Sequence, residues 1–128
     1  MKTTLLNLVF VATALCSLSV AADIADLKGT WSGNWTPQGG TLEAMTVEFK
    51  QADNGALTGS FLTPVPVDFS KASFNPRTSI VTLEAVNQKS GKQYKLEAKV
   101  KGTELDGTLT VDNVTGSLRL IKWTFFGR

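Results

Sequence analysis

The chain has no histidine, and its one cysteine, Cys16, lies in an N-terminal apolar run. These two absences remove the side chains on which most nucleophile–base pairs depend, and the usual ligands of zinc and haem. No serine sits in a recognisable nucleophile turn. Glu43, Glu48, Glu84 and Glu97 mostly fall on the polar phase of their segments and read as solvated surface. A glycosidase-type pair needs two acids facing one cleft, and no pattern here marks such a pair, although spacing alone leaves a cross-strand one open. The expectation is a protein that is not an enzyme and carries no cofactor and no metal. Excess charge of one sign is also missing, since 13 Lys and Arg face 11 Asp and Glu. Lys89, Lys92, Lys95, Lys99 and Lys101 spread along one hairpin and interleave with Glu97, which reads as a solvated strand face and not as a nucleic-acid patch.

Lys2, the apolar stretch Leu5 to Val20 and a small-residue cleavage motif at Ser19-Val20-Ala21 or Val20-Ala21-Ala22 have the order of a secretory signal peptide. A membrane anchor is the rival reading, but the run falls short of the roughly 20 apolar residues that a spanning helix needs. Leu15 precedes Cys16 where a lipoprotein site requires a small residue. The expected organisation is a signal peptide over 1–22 and a single β-barrel domain over 23–128, secreted or periplasmic, with no integral membrane segment in the mature chain. That domain holds no cysteine, so it must rest on burial and sheet closure without a disulfide.

Period-two alternation dominates what is present. Met45, Val47 and Phe49 alternate with Thr46 and Glu48, and Tyr94, Leu96, Ala98 and Val100 alternate with Lys95, Glu97 and Lys99. This is the mark of strands with one buried and one wet face. Turn residues cut the chain at short intervals: Pro37 to Gly40, Asn54-Gly55, Pro64 and Pro66, Asn75-Pro76, Ser90-Gly91, Lys101-Gly102 and Asp112-Asn113. Pro64 and Pro66 bracket a corner or an edge strand, because neither donates to a ladder. Eight candidate strands result, near 28–36, 41–50, 56–63, 65–74, 79–87, 92–101, 104–111 and 114–126. The mature chain has no convincing helical period, beyond room for a short turn at Ile24 to Leu27.

One phrase occurs four times: apolar, polar, Gly, Ser or Thr, large apolar. The copies are Leu27 to Trp31, Leu57 to Phe61, Leu105 to Leu109 and Val114 to Leu118. Each Gly shares a strand face with the apolar residues at plus and minus two. Glycine inside a strand marks a bend, a bulge or a close backbone approach. Repeated bends let a sheet curl and close. The predicted fold is all-β, an antiparallel eight-stranded up-and-down barrel, with a sandwich as the alternative if the sheet splits.

The inward phase is almost free of ionisable groups. A barrel of eight strands is either filled by side chains or holds one small ligand. A packed core is the plainer reading; each Gly, by leaving a gap, leans toward a pocket. For the pocket, the candidate ligand-binding residues are Trp31, Trp35, Met45, Phe49, Phe61, Phe69 and Tyr94. An inside-out membrane barrel is disfavoured, because the aromatic residues form no girdles.

Gly29-Thr30-Trp31 resembles the Gly-x-Trp signature of lipocalins and their calycin relatives. Together with Gly59-Ser60-Phe61 it is similar to the opening of small bacterial lipocalin-like domains. The resemblance implies the barrel, a small apolar ligand, and a late basic residue packed on Trp31, for which Arg119 and Lys122 are the candidates.

The last strand breaks phase. After Leu118 and Leu120, the residues Ile121, Trp123 and Phe125 fall on the opposite face. Either a bulge or N-terminal cover absorbs them, or they form an outward stripe for a protein partner or homodimer. Asn34 and Asn113 open Asn-x-Thr triplets, which matter only on a eukaryotic secretory route. Two functions follow. One is a secreted barrel binding a small hydrophobic molecule. The other is a solid protein-binding module, such as a hydrolase inhibitor or an envelope interaction domain.

Overall fold

The structure, a computed structural model, describes residues 23–124; the expected signal peptide and Phe125 lie outside the described residues. Eight antiparallel strands close into a barrel in sequence order. They are β1 (Gly29–Pro37), β2 (Glu43–Gln51), β3 (Leu57–Thr63), β4 (Val67–Asn75), β5 (Ile80–Val86), β6 (Gln93–Lys101), β7 (Glu104–Val111) and β8 (Val114–Lys122). Closure is the pairing of β1 with β8, from Trp31 opposite Lys122 to Pro37 opposite Gly116. That ladder excludes the sandwich. β8 stops at Lys122, short of the expected 126, where β7 runs out beside it: Ile121 faces Glu104, the first residue of β7.

The alternation sorts as period two demands. Tyr94, Leu96, Ala98 and Val100 are buried, while Lys95, Glu97, Lys99 and Lys101 between them are exposed. The interior is apolar, with no buried polar or charged residue among the described ones. Pro64 and Pro66 sit in the β3–β4 corner. The ladder beside them is the thinnest in the barrel, with only Ser60 opposite Asp68 and Phe61 opposite Val67. A barrel has no free edge, so the missing proline donors shorten a ladder here and do not make an edge strand.

The glycine phrase recurs for a different reason than a gap. A Cβ on Gly107 would run into the Glu97 carbonyl oxygen and the Ala98 backbone, and one on Gly116 into the Thr36 carbonyl. A Cβ on Gly59 would strike the Glu48 carbonyl and lie 2.9 Å from the Phe69 ring. At these three copies the neighbouring strand's backbone occupies the space that the absent side chain leaves, whereas a Cβ on Gly29 would meet only the end of the Lys122 side chain, at 3.2 Å. The three glycines therefore mark close strand approach and add no cavity.

One end of the barrel is plugged. α1 (Ile24–Leu27) is a single turn held by a capping box: the Asp23 carboxylate accepts from the N–H groups of Ala25 and Asp26, and the Asp26 carboxylate accepts from the Asp23 N–H. The turn drives Leu27 fully into the core. The Trp31 indole Nε1 donates to the Leu27 carbonyl at 2.8 Å, and Lys122 Nζ donates to the Asp26 carbonyl at 2.7 Å. The same ammonium lies 5.7 Å from the centre of the Trp31 ring. Of the two candidate cations, Lys122 is the one on the tryptophan. Arg119 points outward instead, and its Nε donates to Asp106 Oδ1 at 2.9 Å.

The phase break in β8 is not a bulge. Both its ladders run without a register shift, and Ile121 and Trp123 face outward with 45% and 56% of their surface exposed.

Candidate functional site

The barrel end opposite the plug is open. Four connections surround it: 38–42, 64–66, 87–92 and 112–113. Between them lies a cavity of about 350 Å³, walled by Trp35, Met45, Tyr94, Val111 and Val114 and rimmed by Pro37, Glu43, Pro64, Lys92 and Asp112. Register places these residues. Tyr94 faces Val111, which faces Val114, so three walls belong to one row across β6, β7 and β8. Met45 and Glu43 come from the start of β2, beside Trp35 at the end of β1. The Trp35 indole Nε1 donates to the Leu109 carbonyl at 2.9 Å, which ties β1 to β7 and fixes the ring as a rigid wall.

Tyr94 is 95% buried by complement, with 5% of its surface exposed, and it lines this cavity. Its hydroxyl takes no hydrogen bond among the described residues. Burial raises its pKa above the ordinary 10.0, and the carboxylates of Asp112 and Glu43 raise it further. Asp112 is fixed by the turn it occupies: Asp112 and Asn113 have φ of 49° and 73°, and Asp112 Oδ1 accepts from the Gln93 N–H at 2.8 Å.

A raised tyrosine pKa has a definite sign for stability. Below pH 10 the phenol is neutral in both states. Above it the unfolded phenol ionises first while the folded one keeps its proton, so stability falls as pH rises and levels off above the folded value. Tyr94 is the chain's one tyrosine, so ultraviolet titration reads it directly. Phenolate absorbance is expected only above pH 10 in the folded protein; a midpoint at or below 10 would contradict the burial argument.

The seven residues singled out from sequence divide into three places. Trp35, Met45 and Tyr94 come together at the mouth. Trp31, Phe49 and Phe61 are at most 1% exposed and lie deep in the packed core, lining neither the mouth nor the groove described next. Phe69 is half-buried at the β3–β4 seam, against an open groove that runs from Val65 to Ser70 and from Val86 to Lys89. Its ring centre lies 5.6 Å from that of Phe49 and 5.7 Å from that of Phe61. Phe61 in turn lies 4.9 Å from Tyr94, so an aromatic stack runs from the core to the mouth. Sequence reasoning missed Val111, Val114, Glu43, Lys92 and Asp112. Their one signal is position, since each sits at or beside a strand end at the open side.

The rim is apolar as well as charged: Leu42, Val65 and Val114 are exposed large side chains at this end. On the outer wall, Trp123 lies across β1, with its indole donating to Ser32 Oγ at 2.9 Å and its N–H to the Thr30 carbonyl at 2.8 Å. Among the described residues, no group of three His, Cys, Asp or Glu is placed to hold a metal, and no helix is long and apolar enough to cross a membrane. Compared with protein-family models, with curated proteins and with solved structures, the chain matches none of them.

Proposed function

We propose that this protein is a lipocalin-like binding barrel that takes one small apolar molecule, end-on, in the open mouth. The supporting observation is the cavity of about 350 Å³ with apolar walls and a few polar groups at its rim. Ligand pockets span roughly 300–1,000 Å³, so this one suits a small molecule or one end of a longer chain. The plug at α1 and the packed Trp31, Phe49 and Phe61 close the path beyond. Gly29-Thr30-Trp31 under Lys122, at the plugged end, supports the lipocalin-like reading. The reading includes a secreted or periplasmic place and no catalytic step.

Titration with 1-decanol tests it. Binding is expected to saturate at one molecule per chain, seen as heat by calorimetry and as a change in tryptophan emission that Trp35→Phe removes. Absence of both signals across a set of small apolar probes would overturn the reading.

A second reading rests on the outward Ile121 and Trp123, which form a surface for a protein partner or second copy. Trp123→Ser is then expected to abolish the complex while costing the fold at most about 1.5 kcal/mol, because one hydrogen bond and an exposed ring are lost. A complex that survives the substitution excludes this surface.

A further inference from the structure

The mouth carries a feature that an apolar ligand alone does not use. The Tyr94 ring is buried in the wall, and its hydroxyl has no protein partner among the described residues. No buried side-chain oxygen or nitrogen among the described residues lacks a partner, so this unpaired hydroxyl is the part of Tyr94 that reaches the cavity surface, where a ligand can meet it. Two carboxylates, Glu43 and Asp112, stand around it and act on the phenol oxygen. The third charged residue at the rim, Lys92, forms no ion pair with either acid among the described residues and is not among the charges acting on the phenol. Trp35, Tyr94 and Met45 line the same cavity.

Resting on the reading of the mouth as a ligand site, we propose that its ligand is an amphiphile with an organic ammonium head, the head seated between Glu43, Asp112 and the Tyr94 hydroxyl and the apolar body against Trp35, Met45 and Val111. Each part of the site fits that chemistry. Carboxylates attract the cation and repel an anion. Aromatic lining from Trp35 and Tyr94 suits an ammonium carrying methyl groups, which cannot donate a hydrogen bond. A primary ammonium would in addition donate to the Tyr94 oxygen, the acceptor that the protein leaves free. The Asp112 carboxylate is presented by a rigid two-residue turn and its hydrogen bond to the Gln93 N–H, so little ordering remains for binding to supply.

Three probes with the same ten-carbon tail separate the outcomes: decyltrimethylammonium, 1-decanol and decanoate, each below its micelle concentration, at pH 7 and low salt. Decyltrimethylammonium is expected to bind about tenfold more tightly than 1-decanol, with decanoate weakest. The preference is expected to shrink with added salt. In the double variant Glu43→Gln, Asp112→Asn the three affinities are expected to converge. Asn keeps the oxygen that accepts from Gln93 and tolerates the positive φ, so the turn survives. Equal binding of the cation and the alcohol overturns the ammonium assignment and leaves the apolar mouth standing. A cation preference that persists in the double variant overturns it too, by placing the head elsewhere. If none of the three probes binds, the ammonium assignment and the ligand-binding reading fall together.

Discussion

Trp31→Ala is expected to lower the unfolding free energy by about 3–5 kcal/mol, the range for removing a large buried aromatic side chain. Trp31 has no exposed surface, and its loss does more than open a cavity. The Leu27 carbonyl loses the indole donor, and the Lys122 ammonium loses the ring it lies beside. The first contact holds α1 directly and the second steadies the ammonium that donates to the Asp26 carbonyl, so the plug should loosen with the core. Denaturant unfolding gives the free energy, and hydrogen exchange at the Lys28 N–H, which donates to the Ile24 carbonyl, reports the plug. Trp31→Phe, which keeps most of the apolar volume and removes the donor, is expected to fall between. A loss below about 1 kcal/mol for Trp31→Ala would mean that the site collapses and that the core is not close-packed there.

Gly107→Ala is expected to cost about 2–3 kcal/mol, a large penalty for adding one methyl group. The methyl meets the Glu97 carbonyl oxygen and the Ala98 backbone across the β6–β7 ladder. Backbone cannot rotate aside as a side chain can, so the ladder must open. Ala98→Gly is not expected to rescue the variant, because the obstructing oxygen belongs to the main chain. Gly55→Ala supplies the contrast: at φ +90° it meets nothing within 4 Å, so it should cost only about 1 kcal/mol of backbone strain. Equal penalties at the two positions would show that backbone freedom, and not close strand approach, is what Gly107 provides. Chemical denaturation of the three variants decides between them.

The mouth shows why the candidate site was only half legible. Trp35, Met45 and Tyr94 belong to the inward phase, and phase is a local property that a reader of the chain can count. Val111, Val114 and Asp112 belong to the site because β7 and β8 bring a turn beside Tyr94. Glu43 joins them from β2, which closes round by way of β1. The same limit explains Trp31, Phe49 and Phe61. Alternation puts them inside, but whether an interior position faces a void or another side chain depends on how distant strands fill the lumen. The glycine phrase likewise marks special positions correctly, while the occupant of the vacated space at Gly59, Gly107 and Gly116 is a neighbouring strand that the phrase itself does not contain.

By itself the amino-acid order determined the strands, their turns, the apolar face of each and the absence of histidine and cysteine from residues 23–128. These follow from residue type and a period of two, which need no knowledge of what lies opposite. Closure of β1 on β8, the choice of Lys122 over Arg119 at Trp31, the outward set of Ile121 and Trp123, and the gathering of Tyr94 with Glu43 and Asp112 were decided only in three dimensions. Each depends on register and on contacts between residues far apart in the chain, and strand periodicity carries no information about either.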